Sequence, residues 1–170
     1  MNKFSTKMLC RAGIIAALYI VLTLINPISF GPVQMRVSEM LVILPLFYVE
    51  SIPALFIGCA LSDIIGGFGY IDMLIGGGAT LLAAIATYII GKAIKNVWAR
   101  FFVGALPPVL FNAFLIPIIF LLIPEATDQT YMFNVMTVGV GELLSVYVFG
   151  AVVYFAIVRL QKTKAGDLFS

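Results

Sequence analysis

The amino-acid sequence predicts an all-α integral membrane protein. The expected form is a bundle of six transmembrane helices in a single membrane domain, residues 1–170, with the N and C termini cytoplasmic. Three observations carry that reading. The chain is 62% hydrophobic and only 11% charged, with a mean hydropathy of +1.13, which leaves too little polar surface to clothe a water-soluble domain. Its apolar stretches are too long and unbroken for the alternating strands of a membrane barrel. Its basic residues recur at intervals that bring nearly all of them to one face of an even-numbered bundle.

The first segment, about 11–26, follows Lys3, Lys7 and Arg11 and stops at Pro27. A basic lead before an apolar run also describes a signal peptide, but no small-residue cleavage site follows, so the segment is read as a permanent span. The second, about 37–49, and the third, about 51–65, are short, because a hydrocarbon core of roughly 30 Å takes about 20 helical residues. They are expected to extend into their flanks or to form a re-entrant hairpin; in both cases the chain returns to the same side. The third ends in "GGFG". The fourth covers about 71–94, the fifth about 100–123 before Pro124, and the sixth about 133–160. The clearest polar breaks are "KNVWAR" and "PEATDQTY".

Lys3, Lys7 and Arg11 precede the first segment, Lys92, Lys95 and Arg100 join the fourth to the fifth, and Arg159, Lys162 and Lys164 follow the sixth. Six segments put all nine on one face, which the positive-inside bias makes cytoplasmic. Arg36 alone falls on the other side. Glu39, Asp63, Asp72, Glu125, Asp128 and Glu142 map to the outer face or the outer half of the membrane, whereas Glu50 and Asp167 are cytoplasmic.

Composition excludes several functions. The chain has no histidine, which removes the commonest neutral-pH acid/base and the commonest zinc ligand. It has no Gly-rich Walker loop and no nucleophile elbow. No metal site and no enzymatic chemistry are therefore expected. A net charge of +2 does not suggest a nucleic-acid partner. Cys10 and Cys59 are expected to be free thiols.

Polar residues at depth are the functional candidates, because a charge at the bilayer centre costs about 2.5–3.5 kcal/mol on insertion scales. Glu142 lies about nine residues inside the sixth segment, roughly 13 Å at 1.5 Å per residue. Asn112 lies at a similar depth in the fifth. One level on adjacent spans suggests one shared ligand site; the alternative is a structural Asn–Glu hydrogen bond. Pro117 deprives the Ala113 carbonyl of its helical partner beside Asn112, and Pro107 and Pro108 are expected to open the lower part of that helix. "VGVGE" keeps the sixth helix thin above the carboxylate, for a ligand or for close helix packing. Asp63 and Asp72 bracket "GGFGYI", as ligand contacts or as a helix cap in the case of Asp72. Phe68 and Tyr70 suit stacking on a flat ligand or an interfacial aromatic belt. Gln34, Arg36 and Glu39 occupy "FGPVQMRVSEM". Arg36 and Glu39 form either an i,i+3 surface pair or part of a loop folded inward over the outer cavity. Ala12 and Ala16 make a small-residue surface that admits a neighbouring helix, from this chain or from a partner.

The stretches "FGPVQMRVSEMLVILPLF", "ALFIGCALSDIIGGFGYIDMLIGGGATLLAA", "LPPVLFNAF" and "NVMTVGVGELLSVYVFG" together resemble the queuosine-precursor transporter family of QueT type, with "VQMRVSE" followed by "LP" the most specific block. The resemblance covers roughly residues 11–160. It implies a substrate-binding S component of an energy-coupling factor (ECF) transporter, multi-pass in the cell membrane. Such a subunit captures a 7-deazaguanine, the 7-cyano or 7-aminomethyl precursor of queuosine, and delivers it through a shared transmembrane T protein and two cytoplasmic ATPases. It also implies that ATP is used by those partners, that this chain holds no cofactor of its own, and that Ala12 and Ala16 dock on the T protein. A guanine-like edge presents an N–H beside an amine, which one carboxylate accepts together. Glu142 is the first candidate for that role and Asp72 the second, with Asn112 or Gln34 reading the rest of the ring. Two other readings remain open: an S component for another vitamin-like amine, and a stand-alone ion-coupled carrier.

Overall fold

A computed structural model describes residues 5–26, 36–67, 69–122 and 130–162, and among these no residue lies in a strand. Helix α1 spans Thr6–Ile25, so its first turns already contain Lys7 and Arg11. A 3₁₀ helix follows over Val37–Leu46, then α2 over Ser51–Ile65 and α3 over Gly69–Ala93. The segment expected over about 100–123 is two helices, α4 (Val97–Gly104) and α5 (Leu106–Leu122). The segment expected over about 133–160 is α6 (Tyr131–Leu143), a π-helical stretch (Leu144–Phe149) and α7 (Gly150–Gln161).

These departures have local causes. Asn96 caps α4 by accepting hydrogen bonds from the backbone N–H groups of Trp98 and Ala99 at 3.0 and 3.2 Å. Pro107 and Pro108 do not open the lower part of a longer helix; they stand in the first turn of α5, where a missing N–H is tolerated. Helix α5 then continues through Pro117. The short second segment is accommodated by its geometry. A 3₁₀ helix rises about 2.0 Å per residue against about 1.5 Å for an α-helix, so ten residues reach about a third further.

Side-chain contacts fix the direction of each pass. Arg11 pairs with Glu50 while Tyr19 packs on Gly58, so α1 and α2 run parallel. Between them the 3₁₀ helix runs the opposite way, with Ser38 beside Thr23 at one end and Leu46 against Gly91 and Gly104 at the other. Helix α3 is antiparallel to α2, through Asp63 at Gly76 and Phe56 at Gly77. Helices α4 and α5 return along α3, with Gly104 bonded to Thr87 and Ile116 near Gly76. The last pass descends again, from Tyr131 on the Phe114 carbonyl to Tyr154 on that of Val97. The described chain thus makes six passes of alternating direction.

Burial of the 3₁₀ helix is the organising feature: Ser38, Glu39 and Leu41 through Leu46 are all buried. Room for it comes from small residues on α3, where Gly76, Gly77, Ala79, Thr80, Ala83, Ala84, Thr87 and Gly91 face inward. A Cβ at Gly91 would stand 3.0 Å from the Leu46 Cα, and one at Gly104 only 2.6 Å from Leu46 Cδ2. The outer surface is apolar, with Ile14, Leu74, Leu121, Met136 and Val152 exposed on four of the passes. Four helical stretches, Thr6–Ile25, Gly69–Ala93, Val97–Leu122 and Tyr131–Gln161, are long and apolar enough to cross a membrane. Such a surface is stable against lipid and a liability in water. Cys10 is exposed and Cys59 buried, both as free thiols.

Candidate functional site

Polar side chains from every pass converge inside the bundle. Helix α1 supplies Tyr19 and Thr23, the 3₁₀ helix and its N-cap supply Arg36, Ser38 and Glu39, and α2 supplies Cys59 and Asp63. Helix α3 adds Asp72 and Thr80, α5 adds Asn112, and the last pass adds Glu142 and Ser145. All are buried. Residues four apart share a helix face, so Tyr19/Thr23 and Cys59/Asp63 each present a stacked polar pair.

The cluster has an internal frame and a set of open positions. In the frame, the Tyr19 hydroxyl donates to Glu39 Oε1 and Asn112 Nδ2 donates to Glu39 Oε2 at 3.3 Å. Both oxygens of Glu39 are thereby engaged, and the carboxylate ties α1, the 3₁₀ helix and α5 together. Thr23 Oγ1 sits 2.7 Å from Ser38 Oγ and 2.8 Å from the Tyr19 carbonyl. Arg36 does not form the i,i+3 pair with Glu39. Its Nη1 faces Asp63 Oδ1 at 3.5 Å and the Cys59 sulfur at 4.0 Å. The Cys59 thiol donates to Asp63 Oδ2 at 3.6 Å and accepts from Thr80 at 3.5 Å. The guanidinium is thus used inside the bundle, from the N-cap of the 3₁₀ helix; residues 27–35, the rest of the loop expected to fold inward, lie outside the described residues.

Three of the open positions share one chemistry. Asn112 Oδ1, Glu142 Oε2 and Asp72 Oδ1 are buried and have no hydrogen-bond partner among the described residues. All three are acceptors. Glu142 lies within side-chain hydrogen-bonding reach of Asn112 and close to Glu39 and Arg36, so the two residues expected at one level do meet. Just beyond it the helix widens into the π-helical stretch that begins at Leu144, a geometry that recurs at functional sites. Ser145, inside that stretch, also holds a buried hydroxyl with no partner among the described residues. No group of three or more His, Cys, Asp or Glu side chains that could hold a metal ion occurs among the described residues.

Not every sequence candidate joins the cluster. Tyr70 is 79% exposed and stands on the outer surface. Gln34 and Phe68 lie outside the described residues. Asp72 sits inside the first turn of α3, which starts at Gly69, so its side chain is not at the cap position. Ala12 and Ala16 are half-buried: they pack against the core formed with α2 and also line an apolar surface cleft of about 410 Å³ with Gly13, Pro53, Ala54 and Ile57. The surface clefts beside α1 are apolar and do not include the buried polar cluster. Sequence reasoning missed Tyr19, Thr23, Ser38, Cys59, Thr80 and Ser145 as members. The Tyr19/Thr23 spacing was the visible signal, since a tyrosine and a threonine on one face of an otherwise apolar helix need partners.

The family model described as QueT transporter matches residues 9–159. The chain belongs to the QueT transporter family. That match takes in every pass of the bundle and every member of the buried cluster. Membership in a transporter family and the apolar helices together make it a multi-pass membrane protein. The queuosine precursor transporter QueT of Lactococcus lactis subsp. cremoris (strain MG1363) is 40% identical over 85 residues, a stretch covering 48% of this chain and 50% of that protein. The matched stretch thus spans about half the length of that curated relative. No solved structure matches.

Proposed function

We propose that this chain is the substrate-capture (S) subunit of an ECF-type importer and binds a queuosine precursor, 7-cyano- or 7-aminomethyl-7-deazaguanine, from the outer side. The observation that carries the proposal is the set of open buried acceptors, Asn112 Oδ1, Glu142 Oε2 and Asp72 Oδ1, inside a bundle of this family. A guanine-like edge brings adjacent N–H donors and matches a carboxylate beside an amide oxygen. Glu142 accepts the ring N–H and the exocyclic amine, Asn112 reads the neighbouring position, and Glu39, Tyr19 and Arg36 hold the frame. The relative's name, queuosine precursor transporter, supports the same substrate class. The chain performs no bond-making chemistry in this reading.

Six passes of alternating direction support six membrane crossings with both termini on one side. The side carrying Lys7, Arg11, Lys92, Lys95, Arg100, Arg159 and Lys162 is then cytoplasmic. ATP is consumed by two partner ATPases coupled through a transmembrane T protein. The T protein docks at the cleft between α1 and α2, where Ala12 and Ala16 leave room for a helix.

Uptake of labelled precursor tests the reading. Cells expressing the chain together with a T protein and ATPases should import the compound, and cells expressing the chain alone should not. Replacing Ala12 and Ala16 by leucine should abolish uptake and leave binding by the purified chain intact. Import by the chain alone, driven by an ion gradient, would replace this account with that of an ion-coupled carrier.

A further inference from the structure

We propose that Asp72, backed by Asp63, forms an ammonium-binding subsite that makes the protein select a precursor bearing a cationic aminomethyl group over one bearing a nitrile. The inference rests on the deazaguanine reading above and assigns the second end of the ligand. Among the described residues the buried acids are Glu39, Glu50, Asp63, Asp72 and Glu142, and Arg36 is the buried cation. Glu50 pairs with Arg11 at the far end of the bundle, so the inner cluster holds four acids to one guanidinium. Glu39 is engaged at both oxygens. Arg36 faces Asp63 and Cys59.

Asp72 is placed to present an open acceptor beside that cluster. It lies four residues before Gly76, hence one turn away on the same face of α3. At Gly76 that face meets the ion pair: a Cβ there would stand 3.1 Å from Asp63 Oδ2 and 3.9 Å from Arg36 Nη1. Asp72 is only 5% exposed, and its Oδ1 has no hydrogen-bond partner among the described residues. An ammonium brings three donors and a positive charge, which an open carboxylate oxygen accepts as a charge-assisted hydrogen bond. A nitrile brings an acceptor alone, and its nitrogen would face the carboxylate oxygens without a hydrogen between them. The Glu142–Asn112 pair, held by α5 and α6, remains for the guanine-like edge. The two ends of the ligand are thus read by different walls of the bundle.

Calorimetry on the purified chain with 7-aminomethyl- and 7-cyano-7-deazaguanine separates the possibilities. Asp72→Asn should weaken the aminomethyl compound about 10- to 100-fold and change the cyano compound by less than about threefold. Asp72→Glu, which keeps the charge, should retain the aminomethyl preference. Equal losses for both compounds in Asp72→Asn would make Asp72 a structural residue and overturn the subsite. Unchanged affinity for both would overturn it as well. Wild-type protein that binds neither compound would instead sink the deazaguanine reading on which the subsite rests.

Discussion

Replacing Glu142 by glutamine keeps the size and shape of the side chain and changes what it offers to a ligand. The carboxylate is 3% exposed, and its Oε2 has no hydrogen-bond partner among the described residues. In the proposed complex this oxygen accepts from the guanine-like edge. Glutamine at this position places an amide N–H against the ligand's own donors, so one charge-assisted contact is lost and buried donors are left facing one another. Such a change costs about 2–5 kcal/mol, and at about 1.4 kcal/mol per tenfold the weakening is roughly 30-fold to several thousand-fold. Glu142 also lies close to Glu39, and glutamine brings no charge into that buried neighbourhood. The variant should therefore unfold in detergent at the same temperature as the wild type or above it. Titration calorimetry with a 7-deazaguanine, paired with a thermal melt, reads both quantities. A folded Glu142→Gln protein with wild-type affinity would refute the reasoning and leave Asp72 as the better reader of the edge.

Three further outcomes follow from the same geometry. Tyr19→Phe leaves Glu39 Oε1 without the tyrosine donor and should lower stability by about 1–3 kcal/mol; an unchanged melting temperature would remove Glu39 from the frame. Gly91→Ala drives a methyl against the Leu46 backbone at 3.0 Å, where the buried 3₁₀ helix cannot swing aside, and should cost about 1–3 kcal/mol; a neutral effect in the same melt would show that the helix shifts freely. Single cysteines labelled from outside intact cells should react at position 127 and not at position 96, and the reverse pattern would invert the assigned orientation.

The helical class and most boundaries were legible because hydropathy breaks at prolines, glycines and charges report directly on where an apolar helix ends. Segment 51–65 coincides with α2 for that reason. Glu142 and Asn112 were legible as a pair because their depths follow from residue counts along two neighbouring passes. Hydrogen-bond partners were not, since they depend on how distant passes rotate against each other. Nothing near Glu39 in the chain announces that Tyr19 and Asn112 will bind its two oxygens. The 3₁₀ helix escaped notice because its cause lies elsewhere, in the small residues of α3 and in Gly104. The Ala105 break between α4 and α5 was hidden by the continuous apolar character of 97–122, which length and composition alone still read as one span. The two readings of Tyr70 could not be separated from sequence, because aromatic residues at the end of a helix look alike whether they face a cavity or the surroundings; its exposure fits the interfacial one.

The central claim is that the chain by itself captures a queuosine precursor. Titration of the purified protein, free of T protein and ATPases, with 7-aminomethyl-7-deazaguanine tests it most directly, with thiamine as a comparator that also carries an amine. The account predicts tight, saturable binding of the deazaguanine, recovery of the compound unaltered after release, and no comparable binding of thiamine. Saturable binding of thiamine with no response to the deazaguanine would contradict it.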